Sequence, residues 1–178
     1  MIYHHEELLV RELQQGKDEN YLLKWLTDPK VLEFYEGRNV TFNMENILRK
    51  FFNRDDEVLR CMVVYKGKNI GYIQVYPINK ATSTLEEYFE MERVYGLDQF
   101  IGDTGYWNKG IGTLLITTMV TFLLTKKGAN QIVMDPMLSN GRAIKCYEKC
   151  GFKKIRELRE HILHEGEYRD CWLMEFSN

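Results

Sequence analysis

The sequence predicts an α+β protein built on one mixed sheet. Short apolar runs separated by turn residues open and close the chain, as antiparallel hairpins do. Between them lie two strand–helix units, the first led by two glycines spaced by one residue. No repeat, low-complexity tract or Pro/Ser-rich linker interrupts this order, and three prolines in 178 residues leave no hinge, so one domain over 1–178 is expected.

Residues 8–13 read as the opening strand. Residues 20–26 and 31–35 read as short helices broken at Asp28-Pro29, because proline removes a helical donor. Residues 44–52 form a further helix. Residues 58–65 and 70–76 are strands joined by a tight turn at Lys66-Gly67-Lys68-Asn69. Residues 81–93 are polar and irregular. A strand at 94–101, a long apolar helix at 110–126, a strand at 131–134 and a helix at 140–149 follow. Gly151 closes that last helix, as a residue free to adopt the left-handed conformation does. Two final strands, 153–163 and 170–176, flank a Glu165-Gly166 turn.

Composition narrows the function. A net charge of −2, with 44% hydrophobic and 28% charged residues, is that of a globular domain and gives no electrostatic footprint for nucleic acid. No apolar run reaches the roughly 18 residues that span a bilayer, and the first residues carry no export signal, so a cytoplasmic protein with no membrane partner is expected. Cys61, Cys146, Cys150 and Cys171 include no Cys-x-x-Cys pair and read as reduced thiols; Cys146 and Cys150 fall on neighbouring turns of one helix. Cys146 is a catalytic candidate only by its place beside Tyr147, since no His or Asn near it in sequence would activate it. His161 and His164, three apart on a strand, point to opposite faces and read as surface or edge histidines, so no metal is expected.

Chemistry concentrates at Trp107-Asn108-Lys109-Gly110-Ile111-Gly112-Thr113, which runs straight into the apolar helix. The first N–H groups of a helix have no intrahelical partner, and bare glycine backbone lets an anion approach them. This is a diphosphate cradle. It lacks the Gly-Lys-Ser/Thr order of a Walker loop and the third glycine of a dinucleotide fingerprint. About 30 residues downstream, Asp135-Pro136 follows a short strand, Ser139 or Asn140 caps the next helix, and Ala143, Ile144 and Tyr147 recur at helical spacing.

Together these two elements resemble the GCN5-related N-acetyltransferase superfamily. Lys109-Gly110-Ile111-Gly112-Thr113 matches the core of its Gln/Arg-x-x-Gly-x-Gly/Ala pyrophosphate loop, with Trp107 in the Gln/Arg position. Asn140, Ala143, Tyr147, Gly151 and Phe152 match its later motif. A narrower resemblance, carried by Val94-Tyr95-Gly96-Leu97-Asp98-Gln99-Phe100-Ile101-Gly102, by Lys24-Trp25-Leu26-Thr27-Asp28, by Val31-Leu32-Glu33-Phe34-Tyr35 and by His164-Glu165-Gly166, is to aminoglycoside 6′-N-acetyltransferases, in particular the acetyltransferase half of a bifunctional resistance enzyme.

The resemblance implies the superfamily's fold, a mostly antiparallel sheet with a parallel pair at the cofactor site, and acetyl-CoA as co-substrate. It places the diphosphate on the backbone of Asn108, Lys109, Gly110, Ile111, Gly112 and Thr113, beside Trp107. It places the pantetheine arm near Asn140 and Ala143, and gives Tyr147 the role of donating to the departing sulfur. Backbone N–H groups around Gln99, Phe100 and Ile101 would receive the thioester oxygen if the strand splays or bulges near Gly96 or Gly102.

Asp98 stands apart on physical grounds, because a carboxylate in mid-strand among apolar residues needs a partner or a task. The resemblance puts it beside the amine that is acetylated, as base or positioner. Asp135, Glu86, Glu87, Glu165 and Asp170, with Tyr95, form a candidate acidic wall for a polycationic amino sugar. Two other readings stay open: an acetyltransferase for polyamines or protein N-termini, and a non-catalytic acyl-CoA-binding module, which has no use for Asp98 or Tyr147. The oligomeric state stays open as well.

Overall fold

The computed structural model describes residues 2–177. Eight strands form one sheet in the order β1-β2-β3-β4-β5-β6-β8-β7. They are β1 (Tyr3–His5), β2 (Leu8–Glu12), β3 (Leu59–Tyr65), β4 (Lys68–Pro77), β5 (Val94–Ile101), β6 (Gln131–Met134), β7 (Lys153–His164) and β8 (Glu167–Ser177). Only β5 and β6 pair in parallel; the other neighbours are antiparallel. This is the mixed α+β sheet that the element order predicts.

Helices α1 (Glu19–Trp25), α2 (Pro29–Leu32) and α3 (Met44–Ile47) separate β2 from β3, and α3 runs into a π-helical turn at Leu48–Phe52. The expected helix at 44–52 is therefore two short pieces, started by a reciprocal cap between Asn43 and Asn46. Helix α2 is held by Pro29 at its start and by Asp28, whose side chain accepts the N–H of Lys30. Helix α4 (Ile111–Lys126) crosses from β5 to β6, and α5 (Gly141–Lys149) follows β6.

Several details depart from the sequence pattern. β1 has no signal in it; the strand is short and carries two histidines instead of an apolar run, and its pairing with β2 supplies its stability. The β3–β4 turn shortens to Lys66 and Gly67, both with positive φ, because Tyr65 pairs directly with Lys68. The irregular 81–93 segment contains a 3₁₀ turn at Glu86–Tyr88.

The sheet buries both faces. Leu115, Ile116, Met119 and Leu123 of α4 pack with Leu97 of β5, Ile132 of β6 and Tyr147 of α5 on one face. On the other, Leu22, Trp25 and Leu26 of α1 and Ile47 of α3 cover Met62, Tyr72 and Phe100. Alternation along β5 thus sends Tyr95 and Leu97 toward α4, and Phe100 toward α1.

Candidate active site

The site begins where β5 and β6 part. Their parallel ladder covers only Val94↔Gln131, Tyr95↔Ile132 and Gly96↔Val133. Gly102 donates to Ile70 and Val94 accepts from Ile78, so the even-numbered residues of β5 exchange their backbone bonds with β4. Leu97, Gln99 and Ile101 therefore turn their backbone groups to the other edge, where β6 no longer lies. The carbonyl of Ile101 is taken by the Trp107 indole N–H at 2.7 Å. Gly96 sits at the parting because a Cβ there would meet the Tyr76 ring at 2.4 Å.

Helix α4 starts beside this edge. Its N-cap, Gly110, has φ +78°, and nothing lies within 4 Å of the place a Cβ would take. Asn108 is also left-handed, at φ +58°. No side chain caps the helix, so the first N–H groups face open space. Asn140 caps α5 opposite, accepting the N–H of Ala143 at 3.3 Å.

A cleft of about 690 Å³ joins these parts. Of the residues expected at a cofactor site, Gln99, Phe100, Ile101, Trp107, Asn108, Gly110, Gly112, Thr113, Asn140, Ala143 and Tyr147 line it. Ile111 does not, because its side chain is buried in the core and only its backbone is on offer. Lys109 is exposed, its Nζ over the Tyr106 ring. The lining also holds Phe34, Tyr35, Arg142, Lys145 and Lys149, which sequence reasoning missed. Arg142 stacks its guanidinium 4.1 Å from the Trp107 ring centre and 5.5 Å from that of Phe34. A cation thus reaches the loop from α5, although the loop carries Trp107 where the superfamily has Gln or Arg. A basic residue after the helix cap was the available signal.

Coenzyme A fits this cleft on two observations besides its size: the uncapped start of α4, and the Gln99 side-chain oxygen, which is buried without a partner and suits an amide N–H of a ligand. Gln99 Nε2 donates to the Tyr147 hydroxyl at 2.7 Å. Burial lifts the Tyr147 phenol above its ordinary pKa, so it stays protonated.

Asp98 lies on the opposite pleat of β5, half-buried. It accepts from Gln74 Nε2 at 2.8 Å and from the Tyr76 hydroxyl at 3.3 Å; Gln74 in turn accepts from Tyr72 at 2.8 Å. Burial and, after it, the negative charge of Asp135 raise its pKa to about 6, against the lowering effect of the two hydrogen bonds.

The other acids of the expected wall are not gathered around Asp98 as free carboxylates. Asp135 bonds His161 Nε2 at 2.7 Å. Glu87 pairs with Arg156. Glu165 takes Arg38 Nε at 2.6 Å, which holds its pKa down at about 2. Asp170 accepts the Glu160 N–H at 2.8 Å and faces Arg159 at 3.4 Å. Glu86 is exposed. Tyr95 packs toward α4, on the face of β5 away from Asp98, because the pleat alternates. The histidines also differ from expectation. His164 is buried, its Nε2 2.8 Å from the Glu33 carbonyl, and His161 is tied to Asp135. A register irregularity between Leu158 and Ile162, with Glu160 left-handed, breaks simple alternation there.

Comparison with known proteins gives the family. Residues 14–159 match the family model of the acetyltransferase (GNAT) domain. Aminoglycoside N(6′)-acetyltransferases type 1 of Klebsiella pneumoniae and Serratia marcescens are 29% identical over 139 residues, 75% of this chain and 68% of theirs. Aminoglycoside acetyltransferase AAC(6′)-Ib with coenzyme A superposes at a TM-score of 0.74 with 24% identity, over 96% of this chain and 95% of that one. Spermidine N-acetyltransferase of Vibrio cholerae, with CoA and spermine, superposes at 0.75 with 22% identity, again over 96% and 95%. No helix among the described residues is long and apolar enough to cross a membrane. The fold, the cleft at the parted strands and the family match lead to one assignment: this chain belongs to the GNAT acetyltransferases, and is an N-acetyltransferase that uses acetyl-CoA.

Proposed function

We propose that the acceptor is an aminoglycoside of the kanamycin or tobramycin type, acetylated on its 6′-amine by direct attack in a ternary complex, an activity that confers resistance. One observation carries this reading. Of the acids expected to meet the substrate, Asp98 alone is half-buried with only amide and hydroxyl partners, while Glu87, Glu165 and Asp170 each face an arginine of the protein itself and Asp135 is tied to the His161 ring. A half-buried carboxylate without a counter-charge suits an incoming ammonium group. The named relatives acting on the 6′ position support the choice of substrate.

The geometry supports a role for each residue. Asp98 holds the ammonium and takes its proton, directly or through water; its pKa of about 6 lies close to working pH, where a base is effective. The N–H groups of Gln99 and Ile101, on the parted edge of β5, stabilise charge on the carbonyl oxygen, worth on the order of 3 kcal/mol per donor. Tyr147 supplies a proton to the departing sulfur. The start of α4 and Arg142 hold the diphosphate, and Asn140 the pantetheine arm.

A substrate panel with radiolabelled acetyl-CoA tests this. Kanamycin and tobramycin are expected to turn over much faster than spermidine or a peptide N-terminus. Turnover of spermidine with none of either antibiotic would transfer the assignment to polyamines.

A further inference from the structure

We propose that Cys146 is a thiol-modification site inside the cofactor cleft, at which a small anionic disulfide forms a mixed disulfide that excludes coenzyme A. The proposal rests on the cleft being the coenzyme site. Cys146 lines that cleft together with Gly112 and Thr113. A Cβ added at Gly112 would lie 3.5 Å from its Sγ, so the sulfur rests against the backbone at the start of α4. Thr113 Oγ1 lies 3.6 Å from the same sulfur. A group attached there has the cleft to enter, where the coenzyme's diphosphate would lie.

The surroundings favour the thiolate. The Cys146 pKa is lowered, first by the neighbouring Cys150 thiol one turn on and then by the Thr113 hydroxyl and the Lys149 charge, against burial. Lys145, Lys149 and Arg142 also line the cleft and attract an anionic reagent. The other thiols differ. Cys61 and Cys171 are fully buried. Cys150 donates to the Thr113 carbonyl at 3.6 Å, and its pKa is raised.

The step is an exchange. The Cys146 thiolate attacks one sulfur of RS–SR, a new S–S bond forms as the old one breaks, and RS⁻ leaves and takes up a proton. One disulfide replaces another, so no further oxidant is needed, and an added thiol reverses it.

The test treats the whole protein with glutathione disulfide, follows adducts by intact mass and peptide mapping, and measures CoA binding by calorimetry. One adduct per chain at Cys146 is expected, with CoA affinity lowered more than tenfold and restored by dithiothreitol. Saturating CoA should slow labelling more than tenfold. Cys146→Ser should stay unlabelled, and Cys150→Ser should still label at Cys146. Labelling at Cys150 alone, or an adduct at Cys146 that leaves CoA affinity unchanged, would overturn the proposal. Calorimetry on the untreated chain separates the two readings. No CoA binding there overturns the cofactor cleft, whereas CoA binding with labelling indifferent to CoA overturns only the role of Cys146.

Discussion

The side-chain amide of Gln99 on β5 donates to the hydroxyl of Tyr147 on α5 at 2.7 Å, and both residues line the cleft. An amide nitrogen only donates, so the phenol must accept, and its own proton is left free to point elsewhere. The two side chains therefore act as one unit. Tyr147→Phe is expected to lower kcat by ~100-fold, within the usual range for a general acid, with the KM for acetyl-CoA nearly unchanged. Gln99→Leu should lower kcat too, and the double variant should be no slower than Tyr147→Phe alone. Steady-state kinetics of the three variants check this; additive losses would mean that the two residues act separately.

Asp98→Asn is expected to lower turnover by at least ~100-fold while leaving CoA affinity within a few fold. The parent's kcat/KM should fall on the acid side with an apparent pKa near 6, the value to which burial and Asp135 raise Asp98. The same shift has a stability sign. A carboxyl whose folded pKa is raised contributes stability below its unfolded pKa, and that contribution is lost as pH rises through the folded value. The parent should therefore lose thermal stability relative to Asp98→Asn as pH rises from about 4 to about 6. Parallel melting curves across that window measure it.

Asp135 raises the pKa of Asp98 through its charge, second only to burial. Asp135→Asn should move the acid limb of kcat/KM to lower pH. A limb that stays in place would mean that His161, 2.7 Å from Asp135, already cancels that charge.

At the start of α4, Gly110→Ala forces a Cβ into a left-handed conformation, which costs about 1–2 kcal/mol. The expected result is a weakened CoA site with a smaller change in kcat. Arg142→Ala removes the cation stacked on Trp107, a contact of about 0.5–2 kcal/mol, and should raise the KM for acetyl-CoA several fold. Calorimetry with CoA reads both variants.

Much of the candidate cleft's lining was legible because its signals are local. Gly110 and Gly112 stand at the head of an apolar helix, and Asn140, Ala143 and Tyr147 keep helical spacing on the next. The acidic wall was not legible, since its neutralising partners are remote: Arg38 and Glu165 are 127 residues apart, and Glu87 and Arg156 are 69 apart. The surroundings of His161 and His164 were not legible either, because the groups that receive them, Asp135 and the Glu33 carbonyl, are 26 and 131 residues away. The facing of Tyr95 away from Asp98 was available from parity along the strand, yet proximity in sequence suggested a common surface.

A crystal structure of the protein with CoA and kanamycin puts the whole arrangement to the test. The diphosphate is expected on the backbone N–H groups of 110–113, and the 6′ nitrogen within hydrogen-bond distance of Asp98. A coenzyme lodged away from the start of α4, or a 6′ nitrogen held by another carboxylate, would contradict the proposed mechanism.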